Sequence, residues 1–481
     1  MADNLYSSAY DQNQIEQLDK LFIDQKTEYK KSPYPSLAER QKDLALLKQA
    51  ILMFQDQLVS AMNEDFGCRS ADDTKLGDVL ATVMGINYAT KKLKKWLKPS
   101  KRHVGALFQP AKAYVMYQPL GVVGIVTPWN YPLFLSIGPL TLALAAGNRA
   151  MIKMSEFTPA TNKVINEMIT SVFTSDKVAV IDGGPQVAAH FSQKPFDHLL
   201  FTGSTRVGKM VMAAAAQNLT PVTLELGGKS PTIIAEDVDI DDAVSRFILA
   251  KTLNAGQTCV APDYILCPEN KMDELVQACK KQFNTMYPKF SENGDYGSII
   301  NDQQFQRLHS WLDDAVEKGA QAISLTDFTS EQSQQPRKMP LTLVTNVNDD
   351  MQLMQDEIFG PLLPIVSYKS LAEAIAYIND RPRPLALYLC SHNEQTQQQV
   401  LQQTHAGGVC INDAAIQVAQ DDIPFGGIGP SGMGHYHGHE GFLTFSKAKS
   451  VLVKGKMNTS KMAFPPYGKL VHKLIYKLFL R

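Results

Sequence analysis

One cysteine of the 481-residue chain lies in a polar, glycine-containing turn instead of an apolar run. The stretch N-A-G-Q-T-C-V-A-P, at 254–262, follows a predicted helix end and presents Cys259. A thiolate is a strong nucleophile, whereas most buried cysteines only fill space. This setting is unusual for a packing residue, and both core packing and a reactive thiol stay open for Cys259. Cys267 and Cys279 lie in apolar strand and helix patterns, and we assign both to packing.

Two other polar residues follow or end predicted strands. Glu225 lies between two leucines in L-E-L-G-G-K-S-P (224–231), so its carboxyl group is expected beside apolar surface. Such surroundings raise a carboxyl pKa toward the range of a general base, and a solvent-facing glutamate is the alternative. Asn130 lies in the proline-rich stretch T-P-W-N-Y-P-L (127–133), where its amide can donate to an oxyanion. A simple turn-forming role for Asn130 stays open.

Two stretches have the character of nucleotide contacts. In F-T-G-S-T-R-V-G (201–208) an apolar strand meets a helix start, so backbone N–H groups and the helix dipole can face a phosphate. The spacing is not G-x-G-x-x-G, and a plain tight turn is the alternative. In M-I-K-M-S-E-F-T-P (151–159), Glu156 follows the strand that ends near Lys153. A carboxylate there can bind ribose hydroxyls and repel a 2′-phosphate, whereas the alternative is a surface Lys153–Glu156 ion pair.

The patterns around these residues predict an α/β protein. Residues 15–97 have apolar side chains spaced three and four apart, which is typical of helices. A second alternating α/β series spans 230–411. Before it, short apolar runs alternate with helix-length segments, which indicates a doubly wound parallel sheet with helices on both faces. The predicted strands before 230 are 114–116, 121–127, 150–154, 178–181, 198–201 and 221–226.

Composition and charge limit the classes of function. Lys plus Arg (47) balances Asp plus Glu (48), which argues against a nucleic-acid partner. The six cysteines form no C-x-x-C pair, so neither a metal site nor a disulfide framework is expected. The N-terminus lacks a secretory pattern, and a cytoplasmic protein is the expectation. The apolar run 133–146 is too short for a membrane span and predicts a buried helix, while the polar segment 329–338 predicts a solvated surface loop.

The C-terminal stretch predicts a basic amphipathic helix. Lys469, Lys473, Lys477 and Arg481 form a row beside the apolar residues at 470, 471, 474, 475, 478 and 479. Such a helix can lie on an anionic membrane surface. Packing against its own or a partner subunit is the alternative.

The chain contains seven motifs in a fixed order: T-P-W-N-Y-P, K-M-S-E-x-T-P, F-T-G-S-T-x-V-G, L-E-L-G-G-K-S-P, G-Q-T-C-V-A-P, E-I-F-G-P and P-F-G-G-x-G-x-S-G-M-G. Together they resemble the NAD(P)-dependent aldehyde dehydrogenase superfamily. The resemblance covers 15–455. The continuation V-A-P-D-Y and F-P-P-Y-G resemble its class 3 branch, which acts on fatty and aromatic aldehydes. The run 432–442 is most similar to members of that branch that act on coniferyl aldehyde.

The resemblance implies a fold with three parts and a tail. These are a Rossmann-like NAD(P)-binding domain at 1–97 and 123–228, an α/β catalytic domain at 229–418, a small β element for oligomerisation and bridging at 98–122 and 419–455, and an amphipathic tail at 456–481. It also implies a homodimer.

The resemblance further implies site roles. Cys259 would be the thiolate nucleophile, Asn130 and the Cys259 N–H the oxyanion hole, and Glu225 the base that activates water. NAD, with NADP possible, would be the cofactor, and Glu156 favours NAD. The implied cofactor contacts are Thr127, Pro128, Trp129, Lys153, Glu156, Gly203, Ser204, Gly208, Leu226, Glu357 and Phe359.

The expected reaction oxidises a small-molecule aldehyde, aromatic or medium- to long-chain aliphatic, to the acid through a thiohemiacetal and a thioester. The alternatives are a fatty aldehyde dehydrogenase at a membrane surface and a catalytically silent binding protein on the same fold. The presence of Cys259, Glu225 and Asn130 argues against a silent protein. A cysteine hydrolase is disfavoured because no histidine lies in a motif suited to pair with Cys259.

Overall fold

The N-terminal part of the protein is helical, as the apolar spacing predicts. The computed structural model describes residues 7–328 and 335–480. Ser36 and Glu39 form a capping box at the start of the longest of the N-terminal helices. A π-helix, Lys75–Leu80, interrupts the helical region. The α-helices up to the first long sheet are α1 Ser8–Lys31, α2 Leu37–Phe66, α3 Ala71–Thr74 and α4 Ala81–Trp96.

The remaining helices alternate with strands. Short 3-10 turns lie at Ala106–Phe108, Leu253–Gly256, Glu269–Lys271, Ile416–Ala419 and Thr459–Ala463. The α-helices are α5 Phe134–Ala146, α6 Pro159–Thr170, α7 Pro185–Ser192, α8 Thr205–Ala216, α9 Ile240–Thr252, α10 Met272–Met286, α11 Asp302–Glu317, α12 Gln352–Gln355, α13 Leu371–Asn379, α14 Glu394–Gln403, α15 Gly438–Thr444 and α16 Leu470–Phe479.

The strands form three sheets. They are β1 Ser100–Arg102, β2 Ala111–Pro119, β3 Val122–Val126, β4 Arg149–Lys153, β5 Val178–Ile181, β6 His198–Thr202, β7 Val222–Glu225, β8 Pro231–Ile234, β9 Tyr264–Pro268, β10 Gln321–Ser324, β11 Thr342–Thr345, β12 Leu362–Tyr368, β13 Ala386–Cys390, β14 Gly408–Ile411, β15 Gly432–Met433 and β16 Ser446–Lys454. Each strand predicted from the alternating apolar runs is present within two residues or as part of a longer strand.

The first sheet is doubly wound. Its six strands have the order β15-β7-β6-β3-β4-β5, and all neighbours are parallel except β15, which is antiparallel to β7. The chain leaves β3 toward β4 on one side and returns at β6 on the other, so the order reverses between β3 and β6. Ligands of doubly wound sheets bind at the carboxyl ends of the strands at such a reversal. The predicted buried helix of the apolar run is α5, which packs in the core beneath this sheet.

The second and third sheets complete the architecture. The seven-stranded second sheet has the order β10-β11-β12-β9-β8-β13-β14, with β10 antiparallel and the other neighbours parallel. The third sheet, β1-β2-β16, is antiparallel and brings the C-terminal strand back beside β2. Cys267 and Cys279 are fully buried in the core, as assigned from their apolar surroundings.

Two expectations need correction. Strand β15 comes from the segment 419–455, which was expected to form the oligomerisation and bridging element, yet it extends the first sheet because its Gly432 pairs with Glu225 of β7. The segment 329–338 lies outside the described residues at 329–334. In the described remainder Lys338 is 2% exposed and donates to the carbonyl of Asn293, so its charge is not solvated.

The tail forms the expected helix, α16, and Arg481 of the predicted basic row lies outside the described residues. Leu470, Leu474 and Leu478 are exposed on α16, whereas His472 is buried. None of the helices in the described ranges has the length and apolar character of a membrane span.

Candidate active site

The candidate site lies at the segment that links the first sheet to the second. Strand β7 ends at Glu225, and β8 of the second sheet begins at Pro231, so only five residues join the two sheets. The amide of Asp263, just before β9, donates to the carbonyl of Ser230 at 2.8 Å. The carboxyl end of β7 therefore faces the amino ends of β8 and β9.

Cys259 lies on a strained turn that follows α9. Asn254 and Ala255 have φ of 48° and 53°, and Gly256 has φ of 76°. A Cβ on Gly256 would lie 2.6 Å from the carbonyl oxygen of Gly360, so the turn requires glycine there. Non-glycine residues adopt this conformation only when their surroundings hold them in it, which is common at functional sites.

Gln257 holds this turn in place. Its Nε2 donates to the carbonyls of Asn254 at 2.9 Å and Ser298 at 3.0 Å, and its Oε1 accepts from the amide of Ile300 at 3.0 Å. The side chain is fully buried and all its polar atoms are paired. Cys259, two residues on, is thus carried by a rigid backbone.

Asn130 lies against the same turn. Its Nδ2 donates to the carbonyl of Gln257 at 3.0 Å, and the side chain is 2% exposed. An amide nitrogen carries two protons, so one remains for another acceptor. The structure therefore brings Asn130 and Cys259, which are far apart in sequence, into one constellation.

Glu225 is buried without a hydrogen-bond partner. It is 3% exposed, and neither carboxyl oxygen is paired within the described residues. Burial raises its pKa well above the ordinary value, because the charged form loses its hydration. The solvent-facing alternative for Glu225 is therefore wrong.

Burial also raises the pKa of the Cys259 thiol, to about 12, and the nearby Glu357 and Glu225 carboxyls add to the shift. The Cys259 and Val260 backbone amides act in the opposite direction. Cys259 as a residue is half-buried. The thiol of the free protein is consequently protonated near neutral pH.

The segment with Glu357 and Phe359 is tied to the same junction. Lys229 forms an ion pair with Asp263. Its Nζ also donates to the carbonyls of Leu353 at 2.7 Å and Asp356 at 3.1 Å. Asp263 in turn accepts from the Ile358 amide at 2.9 Å. These contacts hold the backbone on both sides of Glu357.

Glu357 itself lies directly against the link between the sheets. A Cβ on Gly227 would lie 2.0 Å from Oε2 of Glu357, so glycine permits this approach. Burial, together with Asp263, raises the pKa of Glu357 to about 8. The ring of Phe359 meets that of Trp129 edge to face at 5.2 Å, which joins two predicted contact residues.

The reversal point of the first sheet carries the predicted phosphate turn. Gly203 and Ser204 follow β6, and the Ser204 side chain accepts from the Val207 amide as the N-cap of α8. A Cβ on Gly208 would lie 2.7 Å from the Leu226 side chain, so the two predicted contacts pack closely. Thr127 lies after β3 at the same edge, beside the half-buried Pro128, and its hydroxyl is unpaired within the described residues.

Lys153 and Glu156 do not form a surface ion pair. Lys153 is 1% exposed, and its Nζ donates to the carbonyls of Met154 and Gly183, both at 2.6 Å. Burial lowers its pKa. Glu156 is half-buried at the end of β4, beside the reversal point.

Tyr436 was not singled out by the sequence. It is 1% exposed, its hydroxyl is unpaired within the described residues, and burial with the nearby Glu225 and Cys259 raises its pKa. The neighbouring His437 is also buried, stacks on Phe425 at 4.9 Å and has an unpaired Nε2. Both border a pocket whose other lining residues include Gly85, Tyr88, Phe134 and Val418. Their only sequence signal is the run 432–442, which indicated a subclass and no role.

Comparison with known proteins identifies the family. Residues 8–451 match the aldehyde dehydrogenase family. The chain is 55% identical over 470 residues to a probable coniferyl aldehyde dehydrogenase of Pseudomonas aeruginosa, which covers 98% of each chain.

Solved structures show the same fold. The substrate-bound state of Staphylococcus aureus AldH is 38% identical, with a TM-score of 0.91 over 96% of this chain and 99% of that one. A Mycobacterium tuberculosis aldehyde dehydrogenase complexed with NAD+ is 28% identical, with a TM-score of 0.81 over 92% of this chain and 91% of that one. The chain therefore belongs to the aldehyde dehydrogenase family and is an oxidoreductase that acts on aldehydes.

Proposed function

We propose that this enzyme oxidises an aldehyde to the carboxylic acid through a covalent bond to Cys259. The observation that carries the proposal is that Asn130 donates to the backbone two residues before the half-buried Cys259, whose pKa the unpaired Glu225 carboxyl also raises. A thiol nucleophile, an oxyanion donor and a base are the groups that such a reaction needs.

The first half of the reaction forms a thioester. The Cys259 thiol loses its proton to solvent water, the sulfur bonds to the aldehyde carbon, and the carbonyl oxygen becomes an oxyanion. The free Asn130 amide proton and the Cys259 backbone N–H stabilise that charge. NAD(P)+, when bound, accepts the hydride that leaves the same carbon.

The second half releases the acid. Glu225 accepts a proton from water, the hydroxyl attacks the thioester carbon, and the thiolate of Cys259 leaves. A carboxylate without hydrogen-bond donors is a stronger base than one in water, because nothing but a proton relieves its charge. The unpaired state of Glu225 supports this role.

The residues at the reversal point fit NAD(P). Unpaired hydroxyls of Thr127 and Thr202, the turn Gly203–Ser204 and close packing at Gly208 provide polar groups and backbone access for a nucleotide. Glu357 and Phe359 would contact the nicotinamide ribose and ring. Lys153 and Glu156 would contact the adenosine ribose. Pro128, Trp129 and Leu226 complete the proposed cofactor contacts.

We assign the parts of the chain accordingly. Residues 1–97 and 123–228 bind the cofactor, 229–418 supply the catalytic lobe, and 98–122 with 419–455 bridge a homodimer. The three sheets follow these divisions except at β15. Leu452 and Val453 of β16 are 54% and 47% exposed, which supports a partner there. A monomeric mass in sedimentation at micromolar concentration would contradict the dimer.

The substrate we propose is an aromatic aldehyde of the coniferyl type. The relative at 55% identity carries that name. Aromatic rings of Tyr88, Phe134 and Tyr436 border the pocket, and Tyr436 lies close enough to Cys259 for the thiol to raise its pKa, which supports an aromatic substrate there. A medium- or long-chain aliphatic aldehyde is the second candidate, because the exposed apolar row of α16 favours an enzyme that works at a lipid surface.

The raised pKa of Cys259 predicts a steep pH dependence of its alkylation in the cofactor-free enzyme. Below the pKa, the thiolate fraction rises tenfold per pH unit, so the iodoacetamide rate should rise about tenfold per unit between about pH 7 and pH 9. Mass spectrometry follows the modified peptide, and Cys259→Ser corrects for the other thiols. A rate that is already constant near neutral pH would show a thiolate at rest and contradict the burial argument.

Substitutions at the three proposed catalytic residues should separate the two half-reactions. Cys259→Ala should abolish NAD(P)H formation from coniferyl aldehyde, and Asn130→Ala should slow it by about 10² to 10³. Glu225→Gln should give one burst of NAD(P)H followed by slow turnover, because the thioester forms but is not hydrolysed.

Cys410→Ala, which removes a half-buried thiol outside the site, is the matched control and should leave the rate unchanged. Wild-type activity in Cys259→Ala would refute the mechanism. A higher kcat/KM for decanal than for coniferyl aldehyde would leave the mechanism intact and favour the aliphatic substrate.

Glu156 should set the cofactor preference. Its carboxylate would repel a 2′-phosphate, so wild type should prefer NAD, and Glu156→Ala should shift the kcat/KM ratio toward NADP by about tenfold. The exposed Glu167 of α6 supplies the control, since Glu167→Ala removes the same charge away from the site. An unchanged ratio in Glu156→Ala would remove Glu156 from the ribose contacts.

We propose that α16 contacts anionic membrane surfaces. Leu470, Leu474 and Leu478 are 85%, 57% and 57% exposed, and Lys469 and Lys473 lie beside them. An apolar row flanked by lysines complements both the acyl region and the charge of anionic lipid.

Vesicle flotation tests the membrane contact. The full chain should float at low salt with phosphatidylglycerol-containing vesicles and not with pure phosphatidylcholine, and Lys469→Glu with Lys473→Glu should abolish flotation. Lys94→Glu with Lys95→Glu on α4 makes the same charge change elsewhere and should float. Wild-type protein that stays in the soluble fraction would favour packing of α16 on a subunit.

A further inference from the structure

We propose that Arg69 is a positioning residue, which holds Asn130 in register with the turn that carries Cys259. The inference rests on the proposed roles of Asn130 and Cys259. Arg69 follows α2, and nothing in its sequence surroundings indicated a role. The case for it comes from a buried network that joins three separate segments.

The Arg69 guanidinium is completely buried and points at the Asn130 backbone. Its Nη1 donates to the Asn130 carbonyl at 2.7 Å, and its Nη2 donates to Asp78 at 2.9 Å. The rings of Phe66 and Tyr131 lie on it, each with a centroid 4.9 Å away. A planar cation clamped between two rings and two acceptors has little freedom to move.

The carboxylates around Arg69 hold both active-site segments. Asp78 accepts from Arg69 with one oxygen and, with the other, from the Phe134 amide at 2.9 Å, just after the Asn130 loop. Asp73 lies 4.0 Å from Arg69 and accepts from the Asn254 amide at 3.1 Å. One buried charge cluster thus reaches the Asn130 loop and the turn before Cys259.

Direct bonds close the network between these two segments. Asn254 Nδ2 donates to the Asn130 carbonyl at 3.0 Å, so that carbonyl accepts from both Arg69 and Asn254. The Asn130 side chain donates back to Gln257 at 3.0 Å. The Tyr131 and Thr258 hydroxyls are also bonded, at 3.0 Å, directly before Cys259.

This arrangement has a consequence for the reaction. The backbone of Asn130 is fixed from one side by Arg69, while its amide is aimed from the other side at the turn. An oxyanion donor displaced by about 1 Å costs about 10² in rate. Loosening Arg69 should therefore slow attack on the aldehyde although Arg69 touches neither the thiol nor the substrate.

Arg69→Lys is the informative variant because it keeps the buried positive charge beside Asp78. It removes the planar guanidinium, whose two terminal nitrogens donate to Asn130 and Asp78. It should lower kcat/KM for the aldehyde by about 10- to 100-fold. NADH affinity, from fluorescence titration, should change less than about twofold. Arg381→Lys is the matched control, since Arg381 also lies over an aromatic ring, of Tyr377, donates to the Tyr377 carbonyl and pairs with Asp349, away from Asn130.

A double-mutant cycle with Asn130→Ala separates positioning from a general loss of structure. If Arg69 acts through the Asn130 amide, Arg69→Lys should have less than about a twofold effect once that amide is absent. A loss of folded protein would reduce the rate equally in both backgrounds.

The outcomes are distinct. Equal losses in both backgrounds would overturn the positioning role while leaving Asn130 as the oxyanion donor. Wild-type activity in Asn130→Ala would overturn the proposed role of Asn130, and the positioning role with it.

Discussion

Burial of ionisable groups at the junction of two sheets is the constraint on which the rest of this site depends. Glu225 ends β7, has no partner among the described residues and has a raised pKa. In the pH range between the unfolded and folded pKa values, the unfolded chain binds fewer protons, so the stability contributed by this group falls as pH rises. This loss of stability occurs at Glu225, the residue proposed as the catalytic base.

Close backbone approach makes the junction possible. Gly227 lets the Glu357 carboxyl lie against the link between the sheets, and Gly256 lets the nucleophile turn meet the carbonyl of Gly360. A side chain at either position would separate the segments that carry Cys259 and Glu357. Buried, closely packed surroundings also strengthen the electrostatic coupling among Cys259, Glu225 and Glu357.

The N-terminal helices take part in the site as well as in the core. Arg69, Asp73 and Asp78 come from the region around α3 and the π-helix, yet they bind the backbone on either side of the proposed oxyanion hole. Their sequence is ordinary for helices with charged residues. Nothing in local spacing separates a solvated aspartate from one that accepts a buried amide, because the difference lies in segments more than fifty residues away.

The sequence alone determined the helical N-terminal region, the strands of the doubly wound sheet, the second α/β lobe and the family, because periodicity and motif order are local properties of the chain. Tertiary structure decided what each polar residue faces. It made Glu225 buried and unpaired, turned Lys153 inward to two carbonyls, paired β15 with β7, and assembled Arg69 with Asn130 and Asn254. Burial, desolvation and hydrogen bonding between distant segments exist only after folding. They set the chemistry of the Cys259 thiol, whose role the nine-residue stretch around it does not decide.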